Sequence, residues 1–275
     1  MPPSKKPSML VRATALGVAA CLAICLAASP GHAQQTQSRL FDVTKNKKLR
    51  VCMYPLYYAI SFRDPKTNEL NGLDIELAKE LAKELGAELQ FVESSFGTFV
   101  ADLQSNKCEI GMFALGATLK RAQAVEFSKP YMLASVFAVA RNGGKVKEWA
   151  DLDKPGIKIA VLLGSYIENV AKGTFKTATV VSIQPPTTRE AELAAGRADA
   201  ILVDYPTVLR AKQEFDWAIS LDPPEKLAPT LVAYAVSPGD QIWLNYVNLF
   251  VDTIKLDGRL MTIARKYRLD GSVAP

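Results

Sequence analysis

Residues 109–131 read EIGMFALGATLKRAQAVEFSKPY, and the rest of the chain is organised around them. An apolar run from Ile110 to Leu115 ends at Gly116. A helix start is expected at Thr118 with Arg121 in its first turn, and Phe127, Ser128, Pro130 and Tyr131 close the stretch. A guanidinium is a planar fork of donors that takes a carboxylate bidentately and stays charged. The free N–H groups of a helix start favour the same anion. Strand end, glycine and Arg-bearing helix start therefore make a carboxylate seat. Spacing alone gives equal weight to a second reading, in which Arg121 pairs with Glu126 or is solvated at the surface.

The run GATLKRAQAVEFSKPY resembles the signature of the periplasmic solute-binding proteins that serve polar amino acid transporters, family 3. The family pattern is S-x-T-x-x-R-x-x-x-x-x-F-S-x-P-Y. The resemblance implies that Arg121 grips a ligand α-carboxylate, with Gly116 and Thr118 beside it. Gly116 departs from the pattern, which has Ser or Thr there, so one hydroxyl contact is missing. The implied fold is α/β and two-lobed, the type II periplasmic binding protein fold. Each lobe is then a mostly parallel sheet flanked by helices, with two crossover strands as hinge.

The chain has 275 residues, 49% of them hydrophobic and 22% charged, enough for two lobes or one large domain. Its net charge of +5 falls to +2 once Lys5, Lys6 and Arg12 are set aside, since no acid lies in residues 1–33. So small a charge points to neither nucleic acid nor an anionic membrane surface as partner. Residues 1–33 read as a secretory signal. Lys5, Lys6 and Arg12 precede an apolar run, Ala13 to Ala28, and Gly31-His32-Ala33 offers a small-residue cleavage site. Val18-Ala19-Ala20-Cys21 also fits a lipobox, but the residues after Cys21 stay apolar where a polar tether is expected.

Removal of this segment takes away His32, the single histidine, and with it Ser-His-Asp or Cys-His catalysis and histidine metal sites. No metal or other cofactor is expected. Cys52 and Cys108 remain, an even pair beside predicted strands, and a disulfide is expected in an oxidising compartment. Two buried free thiols are the alternative.

Residues 34–47 read as a polar, poorly patterned leader. From Lys48 strands and helices alternate, as in a parallel sheet with crossover helices, and ligands sit beyond the strand carboxyl ends in such sheets. Leu73, Leu77, Leu81 and Leu85 line one face of a helix that Gly86 stops. One lobe is expected from residues 48–140 plus 236–275 and the other from 141–235, with the first crossing at Arg141-Asn142-Gly143-Gly144. No repeat, P-loop, GxGxxG or CxxC occurs after the leader.

Four further residues are candidates for the site. Tyr57 and Phe96 follow the first two strands, and for either one a place in the core is more ordinary than a place on a ligand. Gly164-Ser165 precedes a helix and Asp204 follows a buried apolar run; as residue types both suit helix caps. Leu162-Leu163-Gly164-Ser165 is similar to the family's G-[TS] turn, and residues 196–204, GRADAILVD, to its G-x-x-D-A-x-x-x-D run. The resemblance implies that Ser165 meets the ligand carboxylate, Asp204 the α-amino group, and Tyr57 and Phe96 the side chain. Family members that select basic ligands often carry an acid in the first loop; none occurs here from Tyr54 to Phe62, so the resemblance implies an uncharged ligand side chain. The implied partner is the membrane permease of an ABC transporter, and no catalysis is expected. Two rivals share the fold: a cyclohexadienyl-dehydratase-like enzyme, with Glu93, Glu168 or Glu190 as its acid, and an accessory protein of a periplasmic quinoprotein dehydrogenase.

Overall fold

The computed structural model describes Met1 and residues 37–275, so the export-signal reading of residues 1–33 lies outside the described residues. From Ser38 onward the chain forms one compact unit. Its first element corrects the sequence reading. Within the presumed leader, Arg39–Asn46 is a helix (α1), opened by Ser38, whose hydroxyl accepts from the Leu40 N–H. The Ser38 hydroxyl and the Arg39 N–H both donate to the carboxylate of Asp240, at 2.7 Å each.

Strand β1 (Lys48–Met53) leads into three short strands, β2 (Leu56–Tyr57), β3 (Ser61–Arg63) and β4 (Leu70–Asn71), which form a small separate sheet. Then come α2 (Leu73–Leu85), β5 (Glu88–Glu93), α3 (Phe99–Gln104), β6 (Ile110–Gly116), β7 (Glu126–Phe127) and the long β8 (Met132–Arg141). A second β/α series has β9 (Lys158–Leu162), α4 (Tyr166–Thr174), β10 (Thr179–Ile183), α5 (Arg189–Ala194), β11 (Ala200–Val203), α6 (Tyr205–Glu214) and β12 (Ala218–Leu221). Strand β13 (Leu227–Val236), α7 (Gln241–Leu256) and α8 (Arg259–Lys266) complete the chain. The main sheet runs β10-β9-β11-β8-β13-β6-β1-β5. Pairs on either side are parallel, β5 and β6 with β1 and β10 and β11 with β9, whereas β8 and β13 join the halves as an antiparallel pair.

The core follows the strand period of two. In β6, Met112 and Ala114 face one apolar cluster with Leu73, Leu77, Leu81 and Trp243, while Phe113 and Leu115 face another with Cys52, Phe96 and Phe99. Strand β11 repeats this in the second half, with Ala200 and Leu202 on one face and Ile201 and Val203 on the other. Strands covered on both faces read as unbroken apolar runs, which is why both were legible. Helix α2 buries the predicted leucine face, and Gly86 (φ 57°) turns its N–H back onto Ala82 and Lys83. Cys52 and Cys108 are bridged, with Cα atoms 5.6 Å apart, because β1 and β6 lie side by side.

The crossing between halves lies inside β8 and not at residues 141–144. Met132–Val136 pair with β13, and from Phe137 onward β8 pairs with β11. Val136 and Leu227 face each other as register partners at the point of departure. The expected helix after Thr118 is a single 3-10 turn, Arg121–Gln123. Glu126 and Phe127 must already be extended to pair with β13, which leaves no room for a second turn.

Candidate functional site

A cavity of about 200 Å³ opens where the first loop, the turn before α4 and the start of α6 meet. Drug-sized pockets run to roughly 300–1,000 Å³, so this one suits a small metabolite. Tyr57, Phe96, Ser165 and Asp204, four of the sequence-predicted residues, are on its wall. Arg121, Gly116 and Thr118 are not among the residues that line it.

Asp204 is 6% exposed. It caps α6 by position, but its side chain does not accept from the helix N–H groups. Its Oδ2 instead accepts from the Tyr57 hydroxyl and its Oδ1 from Thr207 Oγ1 at 3.0 Å. Both donors are neutral, and no cation lies within ion-pair distance among the described residues. Burial, and next the Asp204 charge, push the Tyr57 phenol well above its ordinary range, so it stays a donor. Ser165 does cap α4, accepting from the Glu168 N–H at 3.2 Å.

Arg121 lies behind Phe96, 5.8 Å from that ring and 5.2 Å from Phe99. Its fork donates to the carbonyls of Gly116 and Gly164, each at 2.8 Å, so it ties the end of β6 to the turn before α4. It makes no ion pair among the described residues, and Glu126, the alternative partner, accepts from the Gly239 N–H. Burial without a counter-charge lowers the Arg121 pKa to about 10. Thr118 serves the same turn by accepting from the Arg121 N–H at 3.3 Å.

Gly116 and Gly164 mark two close approaches. A Cβ on Gly116 would fall 2.9 Å from the Tyr166 ring. One on Gly164 (φ +76°) would fall 2.7 Å from the Gly97 backbone. Tyr166 itself lines the cavity and is not among the sequence candidates; its place directly after Gly164-Ser165 is the available signal. The outer wall carries Arg63, Arg189, Arg210 and Glu190, also beyond the sequence reading except for Glu190.

A sequence profile of the bacterial extracellular solute-binding proteins, family 3, matches residues 49–270. The chain belongs to that family. A relative in Campylobacter jejuni named "Probable histidine-binding protein" is 30% identical over 224 residues, 81% of this chain and 85% of its own length. The L-cystine-binding protein TcyJ of Escherichia coli is 25% identical over 95% of this chain and 97% of its own. Among solved structures, an ancestral amino acid-binding protein, a precursor of cyclohexadienyl dehydratase, superposes with a TM-score of 0.76 at 32% identity, covering 84% of this chain and 99% of that one. The fold is the two-lobed type II periplasmic binding protein fold. Among the described residues no helix is long and apolar enough to cross a membrane.

Proposed function

We propose that the protein captures an amino acid between its two lobes, outside the cytoplasm, and delivers it to an ABC permease. The observation that carries this reading is a pair of opposite charges, a half-buried Arg121 next to the cavity wall and a buried Asp204 on it, each held only by neutral groups. Buried charges are costly without a counter-charge, and a zwitterion supplies one to each. In the closed arrangement the Gly164 carbonyl occupies the arginine fork. The lobes must part for an amino acid to enter, and the guanidinium then exchanges that carbonyl for the ligand carboxylate. Ser165 adds a hydroxyl, and Tyr57 and Phe96 flank the side chain.

The side chain accepted is uncharged. Of the acids on the cavity wall, Glu190 lies 3.7 Å from Arg189 and Asp204 is taken for the α-amino group, so none is left over for a basic side chain. Calorimetry with a panel of the twenty amino acids and L-cystine tests the reading. Wild type binds at least one uncharged member, and Arg121→Ala and Asp204→Ala each lose about 30-fold or more, as expected when one side of a buried charge pair is removed. Binding by either variant at wild-type affinity removes that residue from the site.

One observation favours a second reading, an enzyme of the cyclohexadienyl dehydratase type. Of the three candidate acids, Glu190 lines the cavity, whereas Glu93 pairs with Arg63 and Glu168 with Lys172. Formation of an aromatic product from prephenate or arogenate, lost in Glu190→Gln, would establish it.

A further inference from the structure

We infer that Tyr166 is a further ligand-binding residue, whose hydroxyl donates to an oxygen of the bound amino acid's carboxylate in place of the hydroxyl that Gly116 lacks. The inference rests on the cleft being the amino acid site. Tyr166 is 6% exposed and on the cavity wall, and its hydroxyl has no hydrogen-bond partner among the described residues. A buried hydroxyl left unsatisfied is unfavourable and calls for an explanation, and at the cavity wall an arriving ligand oxygen supplies one. The charges of Arg121 and Asp204, the two groups proposed to hold the zwitterion, both act on this phenol. Its pKa is raised, by burial first and by Asp204 next, so the group is a donor at any ordinary pH.

The second observation is steric. The Tyr166 ring stands where a side chain at 116 would begin, 2.9 Å from an added Cβ, and Thr230 hems the same point at 3.2 Å. The clash is with Cδ1 and Cγ, near the root of the ring, where a rotation of the far end gives no relief. Glycine at 116 and tyrosine at 166 are therefore one solution to one volume. The hydroxyl has moved from the first lobe to the second, at the end of a longer and stiffer arm.

The test compares wild type with Tyr166→Phe by calorimetry against the twenty amino acids and L-cystine, and by thermal unfolding without any of them. The expected result is a Kd about tenfold or more weaker for Tyr166→Phe. The ligand-free unfolding midpoint should be equal to wild type or higher, because an orphan hydroxyl has been removed. An unchanged Kd, or a lower ligand-free midpoint, overturns the inference and leaves the amino acid reading standing. No binding by wild type to any panel member overturns that reading, and this inference with it. A second arm tests the shared volume. Gly116→Ser alone should weaken binding, and in a Tyr166→Thr background it should strengthen it; equal effects in both backgrounds overturn the exchange.

Discussion

Asp74 sits at the start of α2 with no exposed surface, and one of its carboxylate oxygens holds the Ala114 N–H and the Tyr131 hydroxyl at 2.7 Å each. The other oxygen has no partner among the described residues. Burial pushes this carboxyl up to about 7, with hydrogen bonding, from Tyr131 first, pulling back. An unfolded aspartate titrates near ~3.9, so between about pH 4 and 7 the folded protein binds a proton that the unfolded chain does not. Stability from this group is therefore complete below about pH 4, falls as pH rises and is gone above about 7. The denaturant midpoint of wild type should drop more between pH 5 and 8 than that of Asp74→Asn, which carries no titrating group. Parallel curves for the two proteins would refute this. The residue matters to the site because Ala114, which it anchors in a positive-φ conformation (φ 47°), lines the cavity beside Tyr57 and Asp204.

Residue identities also set the limit of what was legible. Asp204 and Ser165 both suit a helix cap, and only the fold separates them. Ser165 caps with its side chain, whereas Asp204 turns away to Tyr57, which is 147 positions distant in the sequence. Tyr166 escaped notice because an aromatic after a turn has no pattern of its own. Its role depends on what is missing at residue 116.

Among the elements, α2, β6 and β11 were readable because their apolar spacing is local. Helix α1 was not. Val43 is its one buried residue by position, and the anchor is a carboxylate some 200 residues away. Asp240 also accepts from the Trp243 N–H at 3.0 Å, so a single side chain caps α7 and seats α1. Asp240→Ala should cost about 2–3 kcal/mol in chemical denaturation, the loss of two caps at roughly 1 kcal/mol each plus an unpaired Ser38 hydroxyl. Limited proteolysis should then cut first within residues 38–47. A loss under half a kcal/mol would mean that α1 is held by its apolar contacts alone. The turn at Thr118–Gln123 teaches the converse. Its sequence suits a helix, but the following strand pairs claim the chain too soon.

On the scale of the whole molecule, the halves meet through backbone as well as side chains. Gly164→Ala would set a methyl 2.7 Å from the Gly97 backbone, which cannot swing aside, and in a left-handed conformation costly for alanine. The variant should fold, bind amino acids at least tenfold more weakly, and show no compaction by small-angle scattering when they are added. Wild-type compaction in the variant would exclude this contact from closure. The disulfide closes 56 residues in sequence, and the chain-entropy model gives it ~4 kcal/mol. The paired mutant Cys52→Ser/Cys108→Ser should lose a large part of that in urea unfolding.

The register pair of Val136 and Leu227 has a meaning for how such a chain is assembled. Everything between them leaves and returns at a single rung, so the distal half is a guest spliced into the tip of a hairpin. The host would keep its antiparallel β8–β13 pairing, with the register shift between Leu227 and Thr230, if that guest were excised and a short turn put in its place.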